Sequence, residues 1–196
     1  RGCRFCAVNT GDPGGLVDPR EPENVGRALA ELDLAYVVLT MVDRDDLLDG
    51  GAAHVAQTVQ RIKRYSPEML VETLVGDFAG VRRDVEAVVR EGRPDVFAHN
   101  VEVVPRLQRK MRDARCGWER SMDVLRWAKD AGANVTKSSL MVGGGETEED
   151  VDEVSGGRDE PEEDVGGLPE LTTTPVRFVL VIDGIEAGGR AAARIR

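Results

Sequence analysis

No run of 18 or more consecutive apolar residues occurs in this chain, which excludes a membrane-spanning helix of ordinary length. Nor do the first residues carry a basic segment followed by an apolar one, so nothing resembles a secretory leader, while a start at Arg1 implies residues upstream. Cysteine is scarce. Three cysteines, an odd number, make no disulfide framework and suit a reducing compartment where thiols serve metals or chemistry. These absences together place the protein in the cytoplasm. Lysine is scarce too: only Lys63, Lys110, Lys129 and Lys137 stand among 26 basic residues, and 36 acidic ones bring the net charge to -10. That balance argues against binding to nucleic acid or to an acidic membrane, and the arginine bias with surplus acid suits a high-salt cytoplasm.

What is present is enough apolar residue, 41% of 196, for one cored domain rather than several. From about residue 22 to about residue 150, helical and strand patterns alternate as repeated βα units do. Pro22 suits a first helical position, and EPENVGRALAELDL carries Val25, Ala28, Leu29 and Leu32 at helical spacing. AYVVLTMV follows as a continuous, β-branched apolar run, which predicts a strand buried on both faces. The pattern repeats with helix GAAHVAQTVQRIKRY and strand MLVETLV, then helix FAGVRRDVEAVVREG, capped by Gly92, and strand DVFAHNVEVV. A last helix, WERSMDVLRWAKDAG, precedes NVTKSSLMVGGGE. Four strands in series predict an α/β fold with a parallel sheet, closed or partly closed as a TIM-like barrel with helices outside.

Ligands of parallel α/β folds bind at the carboxyl ends of the strands. Here those ends read TMVDRDD, VETLVGDF, AHNVE and GGGE. Asp45, Asp46 and Asp77 taken singly are equally explained as helix caps, but four polar ends on one rim predict a site. At the start of the chain RGCRFC sets Cys3 and Cys6 in a C-x-x-C pair. Such a pair is open to three readings: a redox dithiol, half of a zinc site, or part of an iron–sulfur cluster. Zinc needs four ligands, and His54 and His99 supply no recognisable spacing for the other two.

RGCRFC matches the last six residues of a C-x-x-x-C-x-x-C cluster motif. FCAVNTGDPGG with DPREPENV, YVVLTMVDRDDLLDGGAAH, VETLVGDFAG, DVFAHNVEVVPRL and TKSSLMVGGGETEEDV follow in order. On these stretches, from Arg1 to about Val154, the chain resembles the lipoyl synthase family of radical S-adenosylmethionine enzymes. The resemblance implies a partial (β/α) TIM-like barrel of the radical S-adenosylmethionine type over residues 1–154, incomplete at both ends. It makes Cys3 and Cys6 the second and third ligands of a 4Fe-4S cluster, the first lying two residues before Arg1. The open iron of that cluster chelates S-adenosylmethionine, whose reductive cleavage gives a 5'-deoxyadenosyl radical. The implied reaction inserts two sulfur atoms from a second, sacrificial 4Fe-4S cluster into a protein-bound octanoyl chain. Its partners are an octanoylated lipoyl carrier protein or domain and an electron donor such as ferredoxin or flavodoxin.

Residue by residue, the resemblance puts Phe5 beside the cluster and the adenosine. Thr40, Met41 and Asp43 end the strand that binds the methionine amino group, with Met41 where the family has serine. Asn100 and Glu102 are rim polar contacts, joined by Glu72. SSLMVGGGE resembles the G-x-I-x-G-x-x-E pattern, with Ser139, Met141, Gly143 and Glu146 along the adenine. Lys137 and Arg115 match family positions where a cation suits the cofactor carboxylate, the alternative being ion-paired surface groups. His99 is as well explained by structure as by the site, His54 by structure. Cys116, at a family alanine, is read as a small buried residue. No catalytic residue is singled out.

Departures from the family lie at both ends. The C-x4-C-x5-C motif of the second cluster and the C-terminal R-S-S-Y segment are absent. Residues 155–196 diverge, are rich in Gly, Pro, Glu and Thr, and contain only VRFVLVIDGI as a strand. Poor order is expected there, and a change of reading frame would produce so abrupt a switch. The fragment is expected to be incomplete for activity. Alternatives are another radical sulfur-inserting enzyme, an inactive remnant, or a thiol or zinc module.

Overall fold

Five short strands, β1 (Tyr36–Thr40), β2 (Leu70–Leu74), β3 (Val96–Ala98), β4 (Val135–Ser138) and β5 (Arg177–Phe178), lie side by side in chain order, every neighbouring pair parallel. The structure, a computed structural model, describes residues 1–32, 34–155 and 177–178. Most of the divergent tail therefore lies outside the described residues, although β5 falls within the stretch read as a strand.

Helices cover one face of the sheet. α1 (Glu21–Leu32) begins with Glu21 and Glu23, acids at the positive end of the helix dipole. It packs on α2 (Ala52–Tyr65), whose Val59 and Ile62 are fully buried against Val71 of β2, with Val25, Leu29, Val37 and Leu39 closing the cluster. Contact between α1 and α2 is close enough that a Cβ on Gly26 would stand 2.9 Å from the carbonyl carbon of Arg61. α3 (Arg82–Ala87) and α5 (Trp118–Asp130) bury Val85, Val124 and Ala128 against Val75 and Phe97. Alternation along the strands turns Val71, Thr73 and Phe97 to the helices and Glu72, Leu74 and Lys137 to the opposite, inner face. This is the arc of a partial (β/α) barrel. Among the described residues no helix is long and apolar enough to cross a membrane.

Three local expectations are corrected. AYVVLTMV is not buried on both faces: Tyr36 and Val38 remain 44% and 45% exposed. The reason is that helices cover only the Val37 and Leu39 side, while Tyr36, Val38 and Thr40 line the open inner face. FAGVRRDVEAVVREG is not one helix but a 3-10 turn (Phe78–Gly80) kinked at Ala79 (φ 53°), then α3, then a π turn (Val88–Gly92). Its left-handed terminal residue is Arg93 (φ 56°), not Gly92. Gly92 instead gives room to α2, Ala56 Cα standing 3.1 Å from where its Cβ would be. Lastly, DVFAHNVEVV keeps sheet pairing only over Val96–Ala98, then leaves the sheet apart from one bridge between Glu102 and Leu140.

Two helices had no clear signal. A 3-10 turn (Pro105–Leu107) leads into α4 (Gln108–Met111). α6 (Glu148–Ser155) opens with a capping box: Thr147 N–H donates to Asp150 Oδ2 at 2.7 Å, and Asp150 N–H donates back to Thr147 Oγ1 at 3.2 Å.

Candidate functional site

The carboxyl ends of β1, β2 and β3 open on a cavity of about 600 Å³. Strand ends bring Thr40, Met41 and Asp43 from the first, Asp77 from the second, and His99, Asn100 and Glu102 from the third. The start of the chain closes the wall with Arg1, Cys3, Phe5 and Cys6, and Arg112 and Cys116 complete it. Eight predicted site residues therefore meet in one place: Cys3, Cys6, Phe5, Thr40, Met41, Asp43, Asn100 and Glu102.

The cysteine loop folds on itself through Cys6 N–H donating to the Cys3 carbonyl at 3.1 Å. It is anchored by a segment far away in sequence. Gly2 N–H donates to Asp113 Oδ2 at 2.7 Å, Arg4 N–H to the Met111 carbonyl at 2.8 Å, and Asp113 N–H to Cys3 Sγ at 3.3 Å. Asp113 stays ionised well below the usual carboxylate range, chiefly through Arg115 and then the N–H groups of Arg115 and Gly2. Both thiols are free, and Cys6 is exposed. Two free thiols facing one cavity, one of them receiving a backbone N–H, form a donor set that fits two corners of an iron–sulfur cluster. Among the described residues no group of three or more His, Cys, Asp or Glu side chains converges as a self-contained metal site.

Arg1, whose side chain is 4% exposed, gathers the aspartates of two strand ends: Asp45 Oδ1 at 2.6 Å, Asp77 Oδ1 at 2.7 Å and Asp43 Oδ1 at 3.3 Å. Burial alone would lower the pKa of this guanidinium, but the carboxylates outweigh it and raise it. Burial pushes the Asp43 carboxyl up, with Arg1 opposing and Asp77 and Asp45 reinforcing the shift. Asp45, hydrogen-bonded to Arg1, is pushed down. Asp77 Oδ1 also accepts from Ala79 N–H at 3.0 Å, capping the turn that follows β2.

His99 forms the floor. Its Nδ1–H donates to the Val75 carbonyl at 2.9 Å, which leaves Nε2 to accept from Ser121 Oγ at 3.0 Å. Burial pushes its pKa down to about 4, so the ring is neutral. Ser121 Oγ in turn accepts from Arg112 Nη1 at 3.0 Å. Glu102 sits in the left-handed region (φ 67°), uncommon for a non-glycine residue. Two backbone bonds hold it there, N–H to the Ser139 carbonyl at 3.1 Å and carbonyl from Met141 N–H at 2.7 Å. Burial raises its carboxyl, against the pull of Arg112 and the Asn100 amide.

The other predicted residues lie elsewhere. Lys137 Nζ meets both oxygens of Glu72, at 2.9 and 3.0 Å, and Tyr36 Oη donates to Glu72 Oε2 at 2.5 Å. This trio sits on the inner sheet face below the rim. Met141 packs against the cluster around Val101 and Leu140, and the Glu146 carboxylate accepts from the N–H groups of Gly143 and Gly144. Arg115 pairs with Asp113 and Asp45, and His54 with Glu21 on the helical side. Cys116 is half-buried and receives Arg1 Nη1 at 3.5 Å. Arg1 and Arg112 are among the wall residues that sequence reasoning missed: the first lies in the motif but is not itself a ligand type, the second in a loop without periodicity.

Residues 1–155 match the model of the Radical SAM superfamily. Among curated relatives, lipoyl synthase of Sorangium cellulosum is 58% identical over 166 residues, 77% of this chain and 44% of that protein. Lipoyl synthase of Thermus thermophilus is 53% identical over 152 residues, 77% of this chain and 47% of that protein. The mitochondrial lipoyl synthase of Rattus norvegicus is 53% identical over 152 residues, 77% and 40% of the two chains. The chain thus spans less than half the length of these relatives. The matched residues are those that build β1 to β4 and carry both cysteines of the loop, and on that ground the chain belongs to the Radical SAM superfamily.

Proposed function

We propose that this chain is the core of a lipoyl synthase, which inserts two sulfur atoms into a protein-bound octanoyl group. One observation carries the reading: Cys3 and Cys6 open together on the cavity at the carboxyl rim of the sheet. The relatives' name, lipoyl synthase, supports a lipoyl group as the product. Cys3 and Cys6 would hold two irons of a 4Fe-4S cluster, with a third ligand from outside the described residues. When bound, the cluster and S-adenosylmethionine supply a radical able to take hydrogen from an unactivated carbon.

The residues of this chain bind, orient and shield. Phe5 covers the cluster edge, and Thr40, Met41 and Asp43 form the shelf for the amino-acid end of the cofactor. Asn100 and Glu102 present hydrogen-bonding groups from the opposite wall, Glu102 aimed by its fixed backbone. Ser139, Met141, Gly143 and Glu146 continue β4 past the rim as the wall beside the adenine, the Glu146 carboxylate fixing the glycine turn. Lys137 acts through Glu72 on the shape of the inner face. The neutral His99 buttresses the floor without offering a proton at neutral pH. An octanoylated carrier protein or domain brings the substrate, and a small electron-transfer protein supplies electrons.

The test uses the full-length protein bearing this chain, reconstituted anaerobically with iron and sulfide. Iron, sulfide, 5'-deoxyadenosine and lipoyl groups on an octanoylated carrier domain are measured. Cys3→Ala and Cys6→Ala are expected to lose cluster iron and both products. A colourless protein that binds zinc, or products undiminished in both variants, overturns the reading.

A further inference from the structure

Three arginines stand on the cavity wall, Arg1, Arg44 and Arg112. Arg1 is paired with three aspartates and Arg44 with Asp46 at 2.7 Å. Arg112 differs. Its Nη1 donates to the Val101 carbonyl at 3.3 Å, Gln108 Oε1 at 3.3 Å and Ser121 Oγ at 3.0 Å, all neutral acceptors. Its Nε is buried without a hydrogen-bond partner, and no carboxylate among the described residues lies within ion-pair distance. Neutral acceptors hold a guanidinium in place without cancelling its charge, so the cost of taking it out of water is left without an ionic offset.

The uncancelled charge lines the same cavity as the thiols. Arg112 precedes Asp113, whose N–H donates to Cys3 Sγ. Its field is felt at Cys116, which also feels Cys3, and at Glu102 on the far wall. A cluster with three thiolates is an anion, and reduction adds one more negative charge with no proton.

We propose that Arg112 is a redox-tuning residue, whose unpaired positive charge favours the reduced state of the iron–sulfur cluster held by Cys3 and Cys6. The inference rests on the cluster reading above. It assigns the Ser121 and Gln108 side chains the task of aiming that charge. The electron comes from an external one-electron reductant, dithionite in the test, and the couple in question is that of the Cys6-dependent cluster alone.

The experiment compares wild type, Arg112→Gln and Arg112→Lys in the reconstituted full-length protein. Iron and sulfide are counted first, and the cluster is identified as the paramagnetic signal lost in Cys6→Ala. If no signal depends on Cys6, the cluster reading itself fails. A potentiometric titration with dithionite then follows that signal. Arg112→Gln is expected to load normally and to lower the ratio of reduced to oxidised cluster about tenfold at fixed potential, about 59 mV for a one-electron couple. Arg112→Lys, which keeps the charge, is expected to stay near wild type. A loaded Arg112→Gln protein titrating as wild type overturns the proposal, as does an equal shift in both variants. Loss of the fold in both, read by circular dichroism, makes Arg112 a strut and overturns it too.

Discussion

His99 carries the clearest pH dependence of any single residue. Folding lowers its pKa from the ordinary 6.5 to about 4, chiefly by burial, so between those values the unfolded chain binds a proton that the native one does not. Stability is therefore complete above about pH 6.5 and is lost as pH falls toward 4, by up to about 3 kcal/mol from this residue. Urea unfolding at pH 7.5 and 4.5 checks this: His99→Asn is expected to lose less stability than wild type between the two, and equal losses would sink the assignment. That eight predicted residues would gather at one cavity was legible in the sequence, because motif and strand ends reveal residues that point at a rim. The fate of Lys137 was not, because its partner Glu72 is set by sheet register, and no local pattern announces which residues end up across a sheet. Arg112 was invisible for a related reason: its position depends on how a loop lands on β3 and α5.

Among the elements, the helices α1, α2 and α5 were readable from their apolar spacing, and the glycines between them have work to do that spacing does not show. Gly26 lets α1 lie directly on the backbone of α2. Gly26→Ala pushes a methyl to 2.9 Å from Arg61 C and O, where backbone has to move, and a loss of about 1 to 3 kcal/mol is expected from overpacking. A thermal melt unchanged from wild type would contradict that. The broken helix after β2 escaped sequence reading because the FAGVRRDVEAVVREG stretch has helical periodicity throughout, while Asp77 capping Ala79 and the π turn at Val88 are choices made by tertiary contacts. β1 was misjudged for the opposite reason: an apolar run states that a strand can be covered on both faces, not that both covers are present.

At the scale of the whole molecule, the start of the matched region is tied to residues 111–113 across the site. Asp113→Ala removes the acceptor of Gly2 N–H and is expected to speed amide hydrogen exchange in residues 1–6 while leaving α2 and β2 protected. Unaltered exchange in the loop would mean that the Arg4 bond to Met111 suffices. That tie has a consequence for how the protein is made. The cysteines leave the ribosome well before Met111 and Asp113, yet Gly2, Cys3 and Arg4 take their order from those later residues. Until that later segment has emerged, the thiols belong to an unanchored peptide. Order in the cysteine loop therefore waits on residues 111–113, by which point β1, β2 and β3 have already been translated.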